Sequence, residues 1–316
     1  MKIGNKNHGY IILLTAVFSW SFSEIIVKLL QSNVGVLSLS FFRFFIGGLF
    51  LFLILLIRND LKGIRKIIRN NLPIFLISSC FVLGFSNIIY FIGVTYTEAN
   101  IAAAIYTTYP IWITIYSIFI LNERENLKFK FIGIIFGIIG ATILITQFNF
   151  AGFVSLEYLW GNFLVLSGSI IWSLYSVLGK KIQLVEHNIT NYALKYGMLT
   201  SLFACIPIIF FLIYSSDIKY FFNYQLYEWF WIFFLGIICT GFGIWLLFEG
   251  ISRLEVSKGM SFAFLKPIFA SILSFFILSE IPSPILIISI AIIIISIFLI
   301  NKNTDSHKEE FSNFFK

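Results

Sequence analysis

The sequence predicts an all-α membrane protein with ten transmembrane helices, arranged as two inverted five-helix repeats. Three observations carry that prediction. Charged residues make up only 12% of the chain against 59% hydrophobic residues, and the mean hydropathy is +0.94. Apolar runs long enough to cross a bilayer occur ten times. Landmark residues of the first half return, in the same order, in the second.

Charge density fixes the solvent. Soluble domains carry about 25% charged residues, and half that density cannot clothe a water-facing surface of 316 residues. The lipid bilayer is therefore the expected partner of most of the surface. The net charge of +7 is no nucleic-acid footprint, because the basic residues lie between apolar runs rather than on one polar face. Cys80, Cys205 and Cys239 lie inside apolar segments, which speaks against a disulfide framework. His8, His187 and His307 lie outside those segments, and neither HExxH nor CxxC occurs, so a metal enzyme has no motif behind it. No cofactor is implied.

About 20 apolar residues cross the hydrocarbon core. Such runs fall at 9–31, 34–57, 72–94, 99–121, 129–147, 157–179, 190–214, 227–250, 258–279 and 283–301. The first run is long and followed by nine more, unlike a cleaved signal peptide. Residues 302–316 form a polar tail. With the N-terminus in the cytoplasm, the inner segments hold 17 of the 22 basic residues, the outer loops hold Lys219 alone, and four (Lys28, Arg43, Lys195, Lys266) lie within spans. This asymmetry follows the positive-inside rule and predicts a multi-pass protein of the plasma (inner) membrane with both termini cytoplasmic.

The halves repeat. An offset of 152 places Trp20-Ser21 on Trp172-Ser173, Lys28 on Lys180 and Arg43 on Lys195. Further along, an offset of 157 places Gly93 on Gly250, Glu98 on Glu255, Pro110 on Pro267, Leu121 on Leu278 and Glu123 on Glu280. Residues 1–150 and 151–301 are thus expected as two five-span units. Five is odd, so the second unit would enter the membrane from the opposite side. Inverted repeats of this kind point to alternating access around a site near the bilayer midplane.

These residues resemble the EamA-type permeases of the drug/metabolite transporter superfamily. Trp20-Ser21 through Lys28 is similar to that family's opening motif, and Arg43 to the arginine of its second span. Tyr90 through Glu98, Ala102, Pro110 and Leu121-Asn122-Glu123 resemble its third and fourth spans. Gly133, Gly137 and Gly140 resemble its glycine-rich fifth. Trp172, Lys180, Pro267 and Leu278-Ser279-Glu280 repeat the pattern. Asn122 and Ser279 stand where the family usually has glycine, and Lys266 where an uncharged residue is usual. The resemblance implies a ten-helix bundle with a central cavity. It also implies transport of amino acids, their derivatives, nucleobases or similar metabolites, often outward. The implied partner is a small-molecule substrate; monomer and homodimer both stay open.

Ionisable groups in a membrane are costly, about 2.5–3.5 kcal/mol each on insertion scales. Glu24 stands mid-span in the first run, and Trp20, Glu24 and Lys28, spaced by four, share one helix face. Glu24 is expected either to take up a proton or bind a cationic group, or else to neutralise Lys28. Lys266 stands near the middle of the ninth span, beside Pro267, on a face of small residues (Gly259, Ala263, Ala270, Ser274). It is expected either to hold a carboxylate or phosphate of a substrate or to form a structural pair. Its repeat mate is Tyr109. Asn87 and Tyr90 are candidate polar cavity groups, and Trp20, Trp172 and Trp245 either stack on a ring or pack. Arg43 and Lys195 read as anchors, and Glu123 and Glu280 as capping or packing groups. No phosphate-binding loop is present, so energy would come from an ion or substrate gradient. A cationic-drug exporter is the rival reading, which Lys266 opposes. A membrane-embedded enzyme or lipid-handling protein comes third, since no nucleophile–base pair stands out.

Overall fold

The computed structural model describes residues 6–30, 32–97, 102, 105–146, 148–150, 157–278 and 284–302. Within these stretches the side chains of Glu24, Lys28, Thr95, Leu144, Lys219, Tyr220, Ser274, Leu278 and Leu286 lie outside the described residues. Glu98, Ser279, Glu280 and the tail from residue 303 lie outside them entirely.

Most of the described residues are helical, and none of them forms a strand. The helices are α1 (Lys6–Leu30), α2 (Val36–Ile57), the short α3 (Ile64–Asn70), α4 (residues 72–95), α5 (Tyr109–Ile120) and α6 (Leu127–Thr146). The second half holds α7 (Leu159–Val185), α8 (Tyr192–Ile213), α9 (Leu226–Ile251), α10 (residues 256–278) and α11 (Ile285–Asn301). With α3 set aside, one helix falls on each of the ten predicted spans. Seven of them (α1, α2, α4 and α7–α10) are long and apolar enough to cross a membrane, while the described parts of α5 and α11 are shorter. Outward-facing apolar side chains mark the lipid contact: Phe119, Phe276 and Ile287 are 76%, 75% and 75% exposed. A helix can meet lipid this way because its backbone hydrogen bonds are all internal.

Packing is the same when the halves are exchanged. α1 lies on α9 as α7 lies on α4; α1 meets α10 as α7 meets α5; α6 packs on α11 and α2 on α8. Gly133 and Gly137 let α6 approach α11 closely, where a β-carbon would press on Ser296 and Ile300. Both third-position helices, α4 and α9, widen into π turns at matching places, Ile77–Phe85 and Leu235–Phe242. Both fourth-position helices break beside a proline. Pro110 has no N–H to bond the Tyr106 carbonyl; the Ser169 hydroxyl donates to that carbonyl instead at 3.0 Å. Before Pro267 the chain tightens into a 3₁₀ turn at Ser261–Leu265.

This symmetry corrects one pairing read from the sequence. Gly241 of α9 presses on Gly47 of α2, as Gly84 of α4 presses on Ala204 of α8. Since 241 − 84 = 157 and 204 − 47 = 157, the larger offset already holds in the second spans. Arg43 therefore corresponds to Thr200, and Lys195 to Ser38. The five-residue change falls in the connection before α8, a place where no landmark residue records it. The offset of 152 holds for the first spans: Ser21 Oγ donates to the Lys266 carbonyl at 3.2 Å and Ser173 Oγ to the Tyr109 carbonyl at 3.1 Å.

The loops after α2, α5, α7 and α9 gather at one end and join the halves by ion pairs. Lys195, fully buried, donates to Asp60 at 2.7 Å, and Lys130, also fully buried, to Glu255 at 2.7 Å. Lys258 reaches Glu125 at 3.1 Å and Lys66 reaches Glu186 at 3.7 Å. Hydrogen bonds from Lys195, Asn191 and Thr190 hold the Asp60 carboxyl down at about 2. Glu123 accepts from the Val256 and Ser257 amides at 2.7 and 3.1 Å, capping α10 rather than its own helix. Asn122 just before it has φ 58°, the left-handed region that glycine and asparagine adopt most readily. That conformation is why asparagine can stand there in place of glycine.

Candidate functional site

A chamber lies at the centre of the bundle, walled by α1, α2, α4 and α5 from one half and α7, α9 and α10 from the other. Six of the residues expected at a site line it: Trp20, Asn87, Tyr90, Tyr109, Trp172 and Lys266. Glu24 is one helical turn from Trp20, and its side chain lies outside the described residues.

Each lining group is positioned by the fold features above. The first helix of each half contributes its tryptophan, while the neighbouring serine, Ser21 or Ser173, fastens the broken helix of the other half. Trp20 and Trp172 meet edge to face at 6.4 Å between ring centres. From Trp172 the rings continue to Tyr109 at 5.1 Å and Tyr106 at 6.1 Å, and from Tyr106 to Tyr90 at 4.4 Å. Edge-to-face and tilted pairs at these separations are favourable contacts between rings. An aromatic wall thus runs from one half into the other. Asn87 accepts from the Ser40 hydroxyl at 3.0 Å, which satisfies its amide oxygen away from water.

Arg43, Thr240 and Lys266 add polar and cationic groups to the lining. Arg43 donates from Nε to Thr240 Oγ1 at 3.2 Å and lies 5.2 Å from the Phe44 ring centre. Thr240 itself donates to the Leu235 carbonyl, five residues back, at 3.0 Å. That bond belongs to the π turn, which brings the Thr240 hydroxyl within reach of Arg43. Wide turns of this kind are frequent at functional sites. Lys266 follows the 3₁₀ turn and precedes Pro267, where the helix changes course.

Arg43, Tyr106, Tyr175 and Thr240 were not among the expected site residues. Tyr106 stands three residues before the expected Tyr109, across the turn at Thr107–Thr108, and that proximity was a usable signal. Thr240 had none, because its place depends on how α2 and α9 meet. Trp245 does not line the chamber; the Arg58 guanidinium lies 5.7 Å from its ring centre. Lys195 is spent on Asp60 and on the Thr190 carbonyl, at 2.9 Å.

The chamber is compact, with about 100 Å³ of space open to water-sized molecules. Sites for drug-sized ligands measure about 300–1,000 Å³. Among the described residues no group of His, Cys, Asp and Glu could hold a metal ion.

An apolar-skinned helical bundle around a polar, ring-lined central chamber is the architecture of a membrane transporter. The EamA-like transporter family model matches twice, over residues 7–146 and 159–302, and the chain belongs to that family. Its relatives include the uncharacterized transporters YetK and YoaV of Bacillus subtilis (strain 168). YetK is 26% identical over 92% of this chain and 86% of its own length, and YoaV 24% identical over 82% and 84%. An uncharacterized transporter of Methanothermobacter thermautotrophicus is 29% identical, and there the match spans 54% of this chain and 53% of the relative. A solved crystal structure matches with a TM-score of 0.78 at 20% identity, covering 93% of this chain and 96% of the other. That likeness concerns the fold alone.

Proposed function

We propose that this protein is a secondary transporter of a small zwitterionic or anionic metabolite, an amino acid or a similar compound, working as an exporter by alternating access. The reading rests on one observation above the others. Two cationic side chains, Arg43 and Lys266, line a chamber that also presents seven aromatic side chains, and both halves of the chain supply it. A carboxylate fits a guanidinium and an ammonium through charge-assisted hydrogen bonds, and an apolar side chain fits the tyrosine and tryptophan faces. Cationic drugs would meet repulsion from the same two groups.

The halves are taken to thread the plasma membrane in opposite senses with both termini in the cytoplasm. The cross-half ion pairs then lie at the cytoplasmic end, where they hold that end shut. Opening inward separates Lys130 from Glu255 and Lys258 from Glu125. The chamber widens to accept substrate, because its present volume lies below that of typical ligand sites. Glu24, one turn from Trp20, is the candidate proton-coupling group.

Flux of labelled amino acids into proteoliposomes tests the reading. Lys266→Ala is expected to weaken uptake of a carboxylate-bearing substrate more than tenfold with the thermal transition unchanged, a loss of at least about 1.4 kcal/mol of binding. Full affinity in that variant would remove Lys266 from recognition. Protection of cells against cationic dyes, with no amino-acid flux, would replace the proposal with drug efflux.

A further inference from the structure

We propose that the corner formed by the end of α2, the loop after it and α3 binds an anionic phospholipid from the surrounding leaflet. This corner is remote from the chamber, and the inference does not depend on which solute is carried.

Leu56, Asn59, Leu61 and Lys62 line a recess of about 350 Å³ that opens to the surface. Two of its walls are apolar and two are polar. It sits where a spanning helix reaches the membrane–water boundary. Leu53, Leu56 and Ile57 on the same stretch are 55%, 41% and 83% exposed, so acyl chains have an apolar path up to the recess.

Immediately beyond the recess the chain is strongly basic. Lys62, Arg65 and Arg69 are all exposed. Arg65 and Arg69 are one helical turn apart on α3 and so face the same way. The opposite face of α3 is anchored: Ile67 is fully buried, and Ile64 and Ile68 pack on the core. The basic groups are thereby held outward on a fixed support.

The two carboxylates of this corner are turned to inward partners. Asp60 accepts from Lys195, Thr190 and Asn191. Glu186 accepts from Asn70 at 2.9 Å and Asn71 at 3.3 Å. The outward surface therefore keeps its positive sign. A phosphodiester headgroup suits this arrangement, since guanidinium and ammonium groups bind phosphate oxygens directly. Basic clusters beside a membrane span attract anionic lipids generally. Here the apolar half of the recess favours a lipid over a soluble phosphate.

Native mass spectrometry of the full-length protein in detergent, titrated with phosphatidylglycerol or phosphatidylcholine, tests the proposal. Wild type is expected to retain phosphatidylglycerol in preference to phosphatidylcholine. The triple variant Lys62→Gln/Arg65→Gln/Arg69→Gln should weaken that binding about a hundredfold, at about fivefold per charge removed. A control, Arg124→Gln/Lys128→Gln/Lys181→Gln, removes the same charge from exposed positions outside this corner and should bind as wild type does. Leu61→Asn, which leaves charge untouched, should also weaken binding. The thermal transition of each variant confirms folding, which these exposed positions leave intact. The proposal is overturned by equal loss in the control triple, by equal retention of phosphatidylcholine, or by displacement of the lipid with an equimolar amount of glycerol phosphate.

Discussion

The start of α8 and the start of α2 are repeat-equivalent corners, and each is gripped by a carboxylate from the other half. Asp60 and Asp217 are 157 residues apart, the offset that the packing of Gly47 and Ala204 establishes. Their partners differ. Asp60 holds the buried Lys195 ammonium together with Thr190 and Asn191. Asp217 accepts from the Leu37 backbone amide at 3.2 Å, over Gly35, whose missing side chain leaves the room that the Asp217 carboxylate occupies. The position matching Lys195 is Ser38. One corner is an ion pair on a fully buried ammonium and the other a helix cap. A duplicated scaffold has kept the geometry of the clasp while letting its chemistry and strength diverge, and the stronger clasp stands at the end where the halves share their other ion pairs.

Substitutions at five positions break or sharpen that comparison. Asp60→Ala leaves the Lys195 ammonium buried without its carboxylate, and a loss of about 3 kcal/mol is expected in the unfolding free energy. The pH dependence has a definite sign. Asp60 is held at about 2 against an ordinary 3.8, so its contribution is complete above about pH 4 and disappears as pH falls toward 2. Thermal melts across that range should show wild type and Asp60→Asn converging at the acid end; parallel curves would count against the pairing.

Gly47→Ala comes next. A β-carbon there would lie 2.8 Å from the Gly236 carbonyl oxygen and 2.9 Å from the Gly241 amide, where backbone cannot yield as a side chain can. About 2 kcal/mol of destabilisation is expected from overpacking. Its counterpart in the other half, Ala204, already carries a β-carbon, so the two contacts are unequal at the same place. A neutral Gly47→Ala would show that α2 and α9 are free to part.

Asp217→Ala removes one cap contact and should cost about 1 kcal/mol, roughly a third of the Asp60 effect. Equal losses at the two corners would end the claim that their chemistry has diverged. The smallest expected difference is between Ser21→Ala and Ser173→Ala. Each removes a hydroxyl whose one proton is shared between its own helix, at the Val17 or Ser169 carbonyl, and a carbonyl beside a helix break, so each should cost about 1 kcal/mol, and the two should agree. Here the repeats have not diverged, and a large inequality would mean that the symmetry of the broken helices is superficial.

The spans were readable because lipid imposes a length and a polarity on every crossing segment. The ten runs in the sequence and the ten helices differ mostly by a few residues at their ends. The fourth run is the exception, divided at Thr107–Thr108, where Pro110 marks the break. Most of the expected chamber residues were also readable, since a buried lysine, an asparagine in an apolar run and a repeated tryptophan each violate the lipid-facing pattern. Arg43 violated it too. Its pairing with Lys195 came from carrying the offset of 152 into the second spans, and a loop difference of five residues cannot be located without knowing which helices touch.

The amino-acid order by itself determined the solvent, the number of crossings and the twofold internal repetition, because these follow from local composition and spacing. Only the tertiary structure decided which serine meets which broken helix, which carboxylate reaches Lys195, and that Thr240 turns toward Arg43. Those are contacts between residues 64 to 245 positions apart. They depend on the angle and register at which whole helices pack, and that register is set by glycine contacts and π turns distributed over both halves.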